Sequence, residues 1–432
     1  MKLVSAEIFE HDRALMMVTF VRRASRKGAQ LLFTCVLALA INVVAEDWPC
    51  WRGPRLDGSS AETGVPIEWN ATNNVAWKVE LPGVGHASPI IFRDKVFVIA
   101  ALPDAEERML LCLDRNTGST LWRQVVLSAP LEHKHTLNSF ASSTPATDGD
   151  SVFVAFLDRD QIFVAAYDLE GKRKWAVHPG TFASMHGFCS SPILYRDKVI
   201  LNGDHDGNSY LVALSRAEGR ILWKTPRENH TRSYCAPLIR DVAGRTQMVL
   251  SGDKCVASYD PNTGKRYWVI DGPTEQFVAS PVYSASCGLV LITGGFPDHH
   301  ILAIRPSGTG NVTQTHIAWR TTEGAAYVPS PIVVGDYFVV VSDGGVAHCF
   351  EAETGKLAWK ERTGEEHASI VSAEGRAYLL NDRGIMTVIQ VGPRFERLAQ
   401  NEIGEKCFAS PAISHGQIFL RGDKHLFCIG RK

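Results

Sequence analysis

Short apolar runs separated by turn residues recur along the chain from about residue 90 to its end. Eight of these runs are rich in β-branched or aromatic residues: VFVIAA, VFVAFL, KVILNG, QMVLSG, LVLITG, YFVVVS, AYLLND and QIFLRG. Such runs are typical of β-strands. The 3.6-residue period of an amphipathic helix is missing after residue 46. The pattern therefore predicts an all-β protein.

A serine–proline pair, or a close variant of it, precedes each of eight repeated units. These pairs are Ser88-Pro89, Thr144-Pro145, Ser191-Pro192, Ala236-Pro237, Ser280-Pro281, Ser330-Pro331, Ser369-Ile370 and Ser410-Pro411. After each pair come two apolar strands, and in most units an Asp-x-x-Thr-Gly turn and a tryptophan follow. Four strands per unit and eight units predict an eight-bladed β-propeller of four-stranded blades.

Seven of the ten tryptophans occupy the same place in the repeat. They are Trp77, Trp122, Trp175, Trp223, Trp268, Trp319 and Trp359. We predict that each packs between neighbouring blades with its N–H bonded to backbone, since an indole buries a large area. The eighth unit lacks its outer strand, and the segment NVAWKVEL at 74–81 has the features of that strand. The N-terminal strand is therefore predicted to close blade eight of a propeller over residues 75–432, after a lead-in at 46–74.

The N-terminus has the layout of a secretory signal peptide. An uncharged apolar run at 31–44 follows Arg22, Arg23, Arg26 and Lys27, and small residues precede Glu46. We predict a signal peptide at residues 1–45, with the true start at Met16 or Met17 because the segment before the arginines is long. A retained membrane anchor is the alternative, although fourteen residues are few for a bilayer span.

The charge balance narrows the classes of partner. The 432 residues carry 45 basic and 46 acidic side chains, a formal charge of −1. Without residues 1–45 the chain has 39 basic and 43 acidic residues, a formal charge of −4. A nucleic-acid binder normally shows a basic excess, so we expect no nucleic-acid partner. No other apolar run is long enough to cross a membrane.

The line Ala-x-Asp-x-x-Thr-Gly-x-x-x-Trp resembles the tryptophan-docking motif of the pyrroloquinoline quinone (PQQ) repeat superfamily. The resemblance covers nearly the whole chain after residue 46. That superfamily includes quinoprotein alcohol dehydrogenases and non-enzymatic members such as the outer-membrane assembly factor BamB. The opening WPCWRGP at 48–54 is similar to the start of exported bacterial PQQ-like repeat proteins.

Quinoprotein chemistry is not supported by the residues that the resemblance would require. Quinoprotein alcohol dehydrogenases resemble one another in an adjacent Cys-Cys pair, a calcium site and a catalytic Asp. This sequence has no adjacent cysteines and no Cys-x-x-Cys-His haem motif. We therefore assign no catalytic and no cofactor-binding residue, and we expect no cofactor. A PQQ- and calcium-dependent oxidoreductase with a reduced site is kept as an alternative.

An aromatic residue or histidine stands just before each serine–proline pair. Because the loops that lead into the inner strands share one face of a propeller, these residues are predicted to ring the mouth of the central channel. They are His86, Phe140, Phe188, Tyr234, Phe277, Tyr327, His367 and Phe408. Packing between blades is the usual role of such residues, since aromatic side chains are mostly found in cores. A platform for a flat ligand or a partner's side chain is the functional alternative.

Two further features allow a third interpretation, a propeller that senses a small ligand or a metal. Asp204, Asp206 and Asn208 have the spacing of the start of a calcium loop but lack the distal glutamate. The loops into blades two to four carry His133, His135, His186 and His230, and imidazoles bind transition metals. Solvated loops remain the alternative, and we assign no metal site.

These observations favour an exported, non-catalytic propeller in the bacterial periplasm or cell envelope. We expect it to be monomeric and to act as a binding or scaffold module for an envelope protein partner.

Overall fold

The computed structural model describes residues 45–430, and this part of the chain holds 34 β-strands and one three-residue 3₁₀ helix at Pro103–Ala105. Residues 1–44 of the predicted signal peptide lie outside the described residues. Within the described part, no helix has the length and apolarity that crossing a membrane requires.

The strands fall into eight sheets. The lead-in contributes β1 (Ser59–Ser60) and β2 (Val75–Glu80). Blade 1 contains β3 (Ile90–Phe92), β4 (Lys95–Leu102), β5 (Glu107–Asp114) and β6 (Thr120–Ser128). Blade 2 contains β7 (Ala146–Thr147), β8 (Val152–Asp158), β9 (Gln161–Tyr167) and β10 (Arg173–Thr181). Blade 3 contains β11 (Ile193–Tyr195), β12 (Lys198–Gly203), β13 (Tyr210–Ser215) and β14 (Ile221–Pro226).

Blade 4 contains β15 (Leu238–Val242), β16 (Arg245–Gly252), β17 (Cys255–Tyr259) and β18 (Arg266–Asp271). Blade 5 contains β19 (Val282–Ser284), β20 (Leu289–Gly294), β21 (His300–Ile304) and, after the short β22 (Gly310–Asn311), β23 (Ile317–Thr321). Blade 6 contains β24 (Ile332–Val334), β25 (Tyr337–Val341), β26 (Val346–Glu351) and β27 (Leu357–Arg362). Blade 7 contains β28 (Val371–Ala373), β29 (Arg376–Leu380), β30 (Ile385–Gln390) and β31 (Glu396–Glu402). Blade 8 contains β32 (Ala412–Ser414), β33 (Gln417–Arg421) and β34 (His425–Ile429).

The sheet order confirms the predicted eight-bladed propeller of four-stranded blades. The four main strands of each blade follow one another in an antiparallel sheet, and β2 completes blade 8 beside β34, with Trp77 opposite Cys428. The N-terminal strand therefore closes the ring, as predicted. Two short strands are extra: β22 pairs with β18, and β1 pairs in parallel with β28, the inner strand of blade 7.

The repeated tryptophans join each blade to the next. Six of the seven donate their Nε1–H to a backbone carbonyl of the following blade: Trp77 to Arg115, Trp122 to Leu169, Trp175 to Arg216, Trp223 to Pro261, Trp319 to Ala352 and Trp359 to Gly392. At the ring closure the Trp77 indole lies 2.7 Å from the place where a Cβ on Gly118 would be. The turn glycine therefore makes room for the indole.

Trp268 departs from this pattern. It is fully buried, and its Nε1–H reaches the Gln247 Oε1 atom of its own blade at 2.8 Å. The Gln247 amide in turn donates to the Pro306 carbonyl of blade 5 at 2.6 Å. Gln247 thus links the indole to the next blade, where a longer turn replaces the usual one.

The serine of the serine–proline pair has a structural role that its sequence pattern did not reveal. Its hydroxyl accepts the backbone N–H of the same position in the preceding blade, at 2.8–3.0 Å. The pairs are Ser88 to Thr144, Thr144 to Ser191, Ser280 to Ser330, Ser330 to Ser369 and Ser369 to Ser410. These bonds form two arcs around the channel, one from blade 1 to blade 3 and one from blade 5 to blade 8.

The lead-in fills the channel from the lower face, where the turns after each inner strand lie. Trp48 forms a two-way backbone bridge with Ile91 of blade 1, and the Pro49 carbonyl accepts from Thr147 of blade 2. Arg52 is buried and donates to the carbonyls of Ser330 and Ile370 at 3.3 and 3.4 Å. The channel is therefore closed at this end.

The lead-in also packs at the junction between blades 7 and 8, where blade 7 has no repeat tryptophan. Blade 7 has Ala399 opposite Val388, the register at which blade 6 places Trp359 opposite Cys349. Trp69 from the lead-in is 4% exposed and packs in the same apolar cluster as Ala399. Its backbone N–H donates to the Asn401 side chain at 2.8 Å. An indole from outside the repeat thus packs in this apolar cluster, although its buried Nε1–H has no hydrogen-bond partner within residues 45–430.

Candidate functional site

A pit of about 740 Å³ opens on the upper face, where the loops that lead into the inner strands meet. Trp51 of the lead-in is among its lining residues, and its Nε1–H donates to the Ser280 hydroxyl at 3.3 Å. Since the lead-in plugs the channel below, the pit has a closed floor. Its volume lies within the range of about 300 to 1,000 Å³ that ligand pockets occupy.

Five of the eight residues predicted to ring the channel mouth line this pit: His86, Tyr234, Tyr327, His367 and Phe408. The other three pack between blades. Phe277 is fully buried beside Trp268, and Phe188 meets Phe182 edge-on with ring centroids 5.2 Å apart. Phe140 is half-buried under the Lys134 ammonium group, 5.0 Å from its ring centroid. Three of the eight ring positions therefore serve packing between blades, and the other five line the pit.

Two histidines flank Phe408, and their pKa values are shifted in opposite directions. His86 stacks on the Phe408 ring at 4.8 Å; burial, reinforced by the charges of Arg421 and Lys134, lowers the pKa of His86 to about 4. His367 donates to the Asp382 carboxylate at 2.7 Å, and this hydrogen bond raises the pKa of His367. At neutral pH, His86 is consequently an uncharged hydrogen-bonding group.

The wall formed by the loops into blades 2, 3 and 4 carries polar side chains. The rings of His135 and His186 meet edge-on, with centroids 5.7 Å apart. The Nδ1 atom of His186 lies 3.0 Å from the Tyr234 hydroxyl, which fixes the orientation of the imidazole. Arg232 forms a 2.6 Å ion pair with Asp206 at the rim of the pit.

Two of the three calcium-loop candidates, Asp204 and Asp206, pair with arginines. Asp204 is fully buried, and its Oδ1 atom accepts from the Arg227 Nε at 2.8 Å while Oδ2 accepts from Ser233 at 2.8 Å. Asp206 pairs with Arg232, as described above. Across residues 45–430, no three His, Cys, Asp or Glu side chains are grouped so that they could hold a metal ion. Of the loop histidines, His135 and His186 reach the pit, whereas His133 and His230 are not among its lining residues.

Fold and site together define a closed-floor, eight-bladed β-propeller of the PQQ-repeat type. The pattern of the family described as "Outer membrane protein assembly factor BamB" matches residues 68–249, 206–324 and 311–392. The chain belongs to this family. No curated protein sequence matches it.

Solved structures share the fold at low sequence identity. BamB from Moraxella catarrhalis superposes with a TM-score of 0.60 at 12% identity, over 83% of this chain and 97% of that one. A europium-containing methanol dehydrogenase superposes with a TM-score of 0.55 at 10% identity, over 89% of this chain and 98% of that one. The fold is thus shared with an assembly factor and with an enzyme.

The pit does not suit PQQ, the cofactor that the fold family implies. PQQ is a planar quinone with three carboxylates, and cationic side chains are the strongest partners for such groups. The described residues that line the pit include one arginine, Arg232, and no lysine, and Arg232 is already paired with Asp206. His86 is uncharged at neutral pH because its pKa is about 4. The described lining residues thus offer one permanent cation for three carboxylates.

Proposed function

We propose that this chain is an exported, non-catalytic propeller that binds an envelope protein through its upper face. The family is described as an outer membrane protein assembly factor, and the predicted signal peptide supports export. On this proposal the lower face and lead-in hold the ring together, and the pit receives part of the partner.

The observation that carries the proposal is an apolar rim continuous with the pit. Leu137, Met185 and Phe296 line the pit and are 48%, 56% and 53% exposed. A small ligand inside the pit would leave these side chains in water. A protein surface would cover both rim and pit, and exposed apolar patches on a soluble domain mark such contacts.

Two ionisable groups of the pit, Cys189 and Tyr234, support a role without catalysis. Burial raises the pKa of the Cys189 thiol to about 12, so this pit-lining thiol stays protonated and is a poor nucleophile. Burial also raises the pKa of Tyr234. A catalytic acid or base normally has a pKa near the working pH, and these groups have moved away from it.

The test is capture of a partner from the envelope with two matched triple variants. Leu137→Ser, Met185→Ser and Phe296→Ser remove the rim. Leu121→Ser, Val125→Ser and Ile221→Ser remove equally exposed apolar side chains, 44–48% exposed, from the outer strands β6 and β14. We expect the rim variant to lose the captured protein and the outer-strand variant to keep it. Equal capture by both variants would overturn the proposal.

The same protein preparation distinguishes the alternatives. A quinone absorbance and dye-linked alcohol oxidation after addition of PQQ and Ca²⁺ would assign the chain to the quinoprotein enzymes. Metal found in the purified protein would favour the sensor interpretation. We expect neither result, because the pit offers a single paired guanidinium and no grouped metal ligands within residues 45–430.

A further inference from the structure

The two walls of the pit differ in chemistry. The β20–β21 turn of blade 5 and the loops into blades 6 to 8 and blade 1 supply an aromatic wall: Phe296 lies 6.4 Å from Tyr327, and Phe408 lies between His86 at 4.8 Å and His367 at 5.9 Å. The loops into blades 2 to 4 supply His135, His186 and Arg232. An occupant that satisfies both walls must be aromatic on one side and polar on the other.

Arg232 is the permanent cation among the lining residues of the pit, and one of its N–H groups has no hydrogen-bond partner among the described residues. Its Nη1 atom pairs with Asp206 at 2.6 Å, whereas its Nε is buried and has no hydrogen-bond partner in residues 45–430. A buried donor of a charged group is costly to leave unpaired. The Arg232 side chain is 19% exposed where it lines the pit, and a carboxylate from an occupant would pair with this accessible part of the guanidinium, because the two groups are complementary in charge and shape.

Charged side chains stand close to both walls. In the aromatic wall, the cationic groups Arg421, Lys134 and His367 are among those that act on His86. His186 lies under the influence of Arg232 and His135, with Asp206 opposing them. The acids Asp343 and Asp382 belong to blades 6 and 7 and are held by their own donors: Asp343 accepts the N–H groups of Tyr327 and Val328 at 2.7 and 3.0 Å, and Asp382 binds His367.

We infer that the pit binds a partner segment in which an aromatic side chain stands next to a carboxylate. The ring occupies the aromatic wall, and the carboxylate pairs with Arg232 beside His135 and His186. This inference rests on the proposed function, because it names the chemistry of the part of the partner that enters the pit.

The test uses two blocked tetrapeptides, acetyl-Gly-Phe-Asp-Gly-amide and acetyl-Gly-Phe-Asn-Gly-amide, titrated into the full-length protein by calorimetry or ligand-observed NMR. They differ by one charge at constant size. We expect the Asp peptide to bind about tenfold tighter or more, the usual effect of one hydrogen bond to a charged group. Acetyl-phenylalanine, the free small-molecule carboxylate, should bind more weakly than the Asp peptide.

Two arginine variants distinguish a specific contact with Arg232 from a general effect of positive charge. Arg232→Gln should remove the preference for the Asp peptide, whereas Arg220→Gln, in an exposed pair with Glu218 on a lower-face turn, should preserve it. Equal binding of the two peptides, saturable binding of neither, or an unchanged preference in Arg232→Gln would overturn the inference. The proposed function would survive the first and third results if the rim variant still lost its partner. If acetyl-phenylalanine bound as tightly as the Asp peptide, the pit would be assigned to a small ligand instead. If the protein formed a dimer that Phe296→Ser abolished, the pit would be assigned to a second copy of this chain.

Discussion

The same eight repeats form both ends of the central channel, yet one end is filled by the lead-in and the other is open. At the lower end the lead-in fills the space: Trp48 is 1% exposed, and the Arg52 guanidinium meets carbonyls of blades 6 and 7. At the upper end large apolar side chains are left half in water, as Met185 and Phe296 are. Since the repeats alone do not create this asymmetry, we take the filled end as structural and the open end as the place of binding.

The largest expected difference between the two ends is in stability. Trp48→Ala should lower the free energy of unfolding by about 3 to 5 kcal/mol, because it leaves a cavity in the plug. Chemical denaturation of the purified variant measures this. A loss below about 1 kcal/mol would show that the plug is not part of the stable core.

A second variant tests whether the lead-in really substitutes for a repeat tryptophan. Trp69→Ala should cost about 3 kcal/mol, similar to truncation of Trp223 at an ordinary junction, because both indoles fill the space between neighbouring blades. The measurement is again denaturant unfolding, with both single variants side by side. If Trp69→Ala were near neutral while Trp223→Ala were not, the junction between blades 7 and 8 would be held by other contacts.

The eight-fold architecture and its closure were predictable because strand period and turn residues repeat with every blade. The position of the lead-in was not predictable, because residues 46–74 contain no repeat that could be aligned with the blades. The three tryptophans outside the repeated position were the only indication that this segment packs against the propeller.

For the pit, the repeat placed eight residues at one level of the ring. It did not decide which side chains point inward, since Phe277 packs beside Trp268 whereas Tyr327 reaches the pit. Arg232 and Phe296 lie in loops of unequal length, where repeat alignment carries no information.

The two histidines beside Phe408 predict opposite responses to acid. The unfolded chain protonates His86 near pH 6.5 and the folded chain only near pH 4, so stability falls as the pH drops between these values. Between pH 7 and pH 5 this loss amounts to about 2 kcal/mol. His86→Gln should therefore reduce the acid sensitivity of unfolding.

His367 has a raised pKa, so it binds more protons in the folded state and stabilises the protein as the pH falls. His367→Gln should accordingly increase acid sensitivity. Denaturant titrations of both variants at pH 7 and pH 5 measure the two slopes. Slopes that change in the same direction would contradict the described environments of the two imidazoles.

The smallest expected effect lies at the rim. Met185→Ser should change the free energy of unfolding by no more than about 0.5 kcal/mol, because a half-exposed side chain contributes little to the core. Thermal unfolding beside Trp48→Ala gives the contrast directly. A destabilisation comparable to that of Trp48→Ala would place the rim among the structural contacts and weaken its assignment to binding.

Site-specific photocross-linking in the native envelope tests the central claim most directly. A benzoylphenylalanine residue introduced by Phe296→benzoylphenylalanine would stand at the rim of the pit, and one introduced by Ile221→benzoylphenylalanine would stand on the outer strand β14, where exposure is similar at 48% against 53%. The account predicts a discrete cross-linked protein from position 296 that is missing from position 221. The same adducts from both positions, or none from position 296, would contradict it.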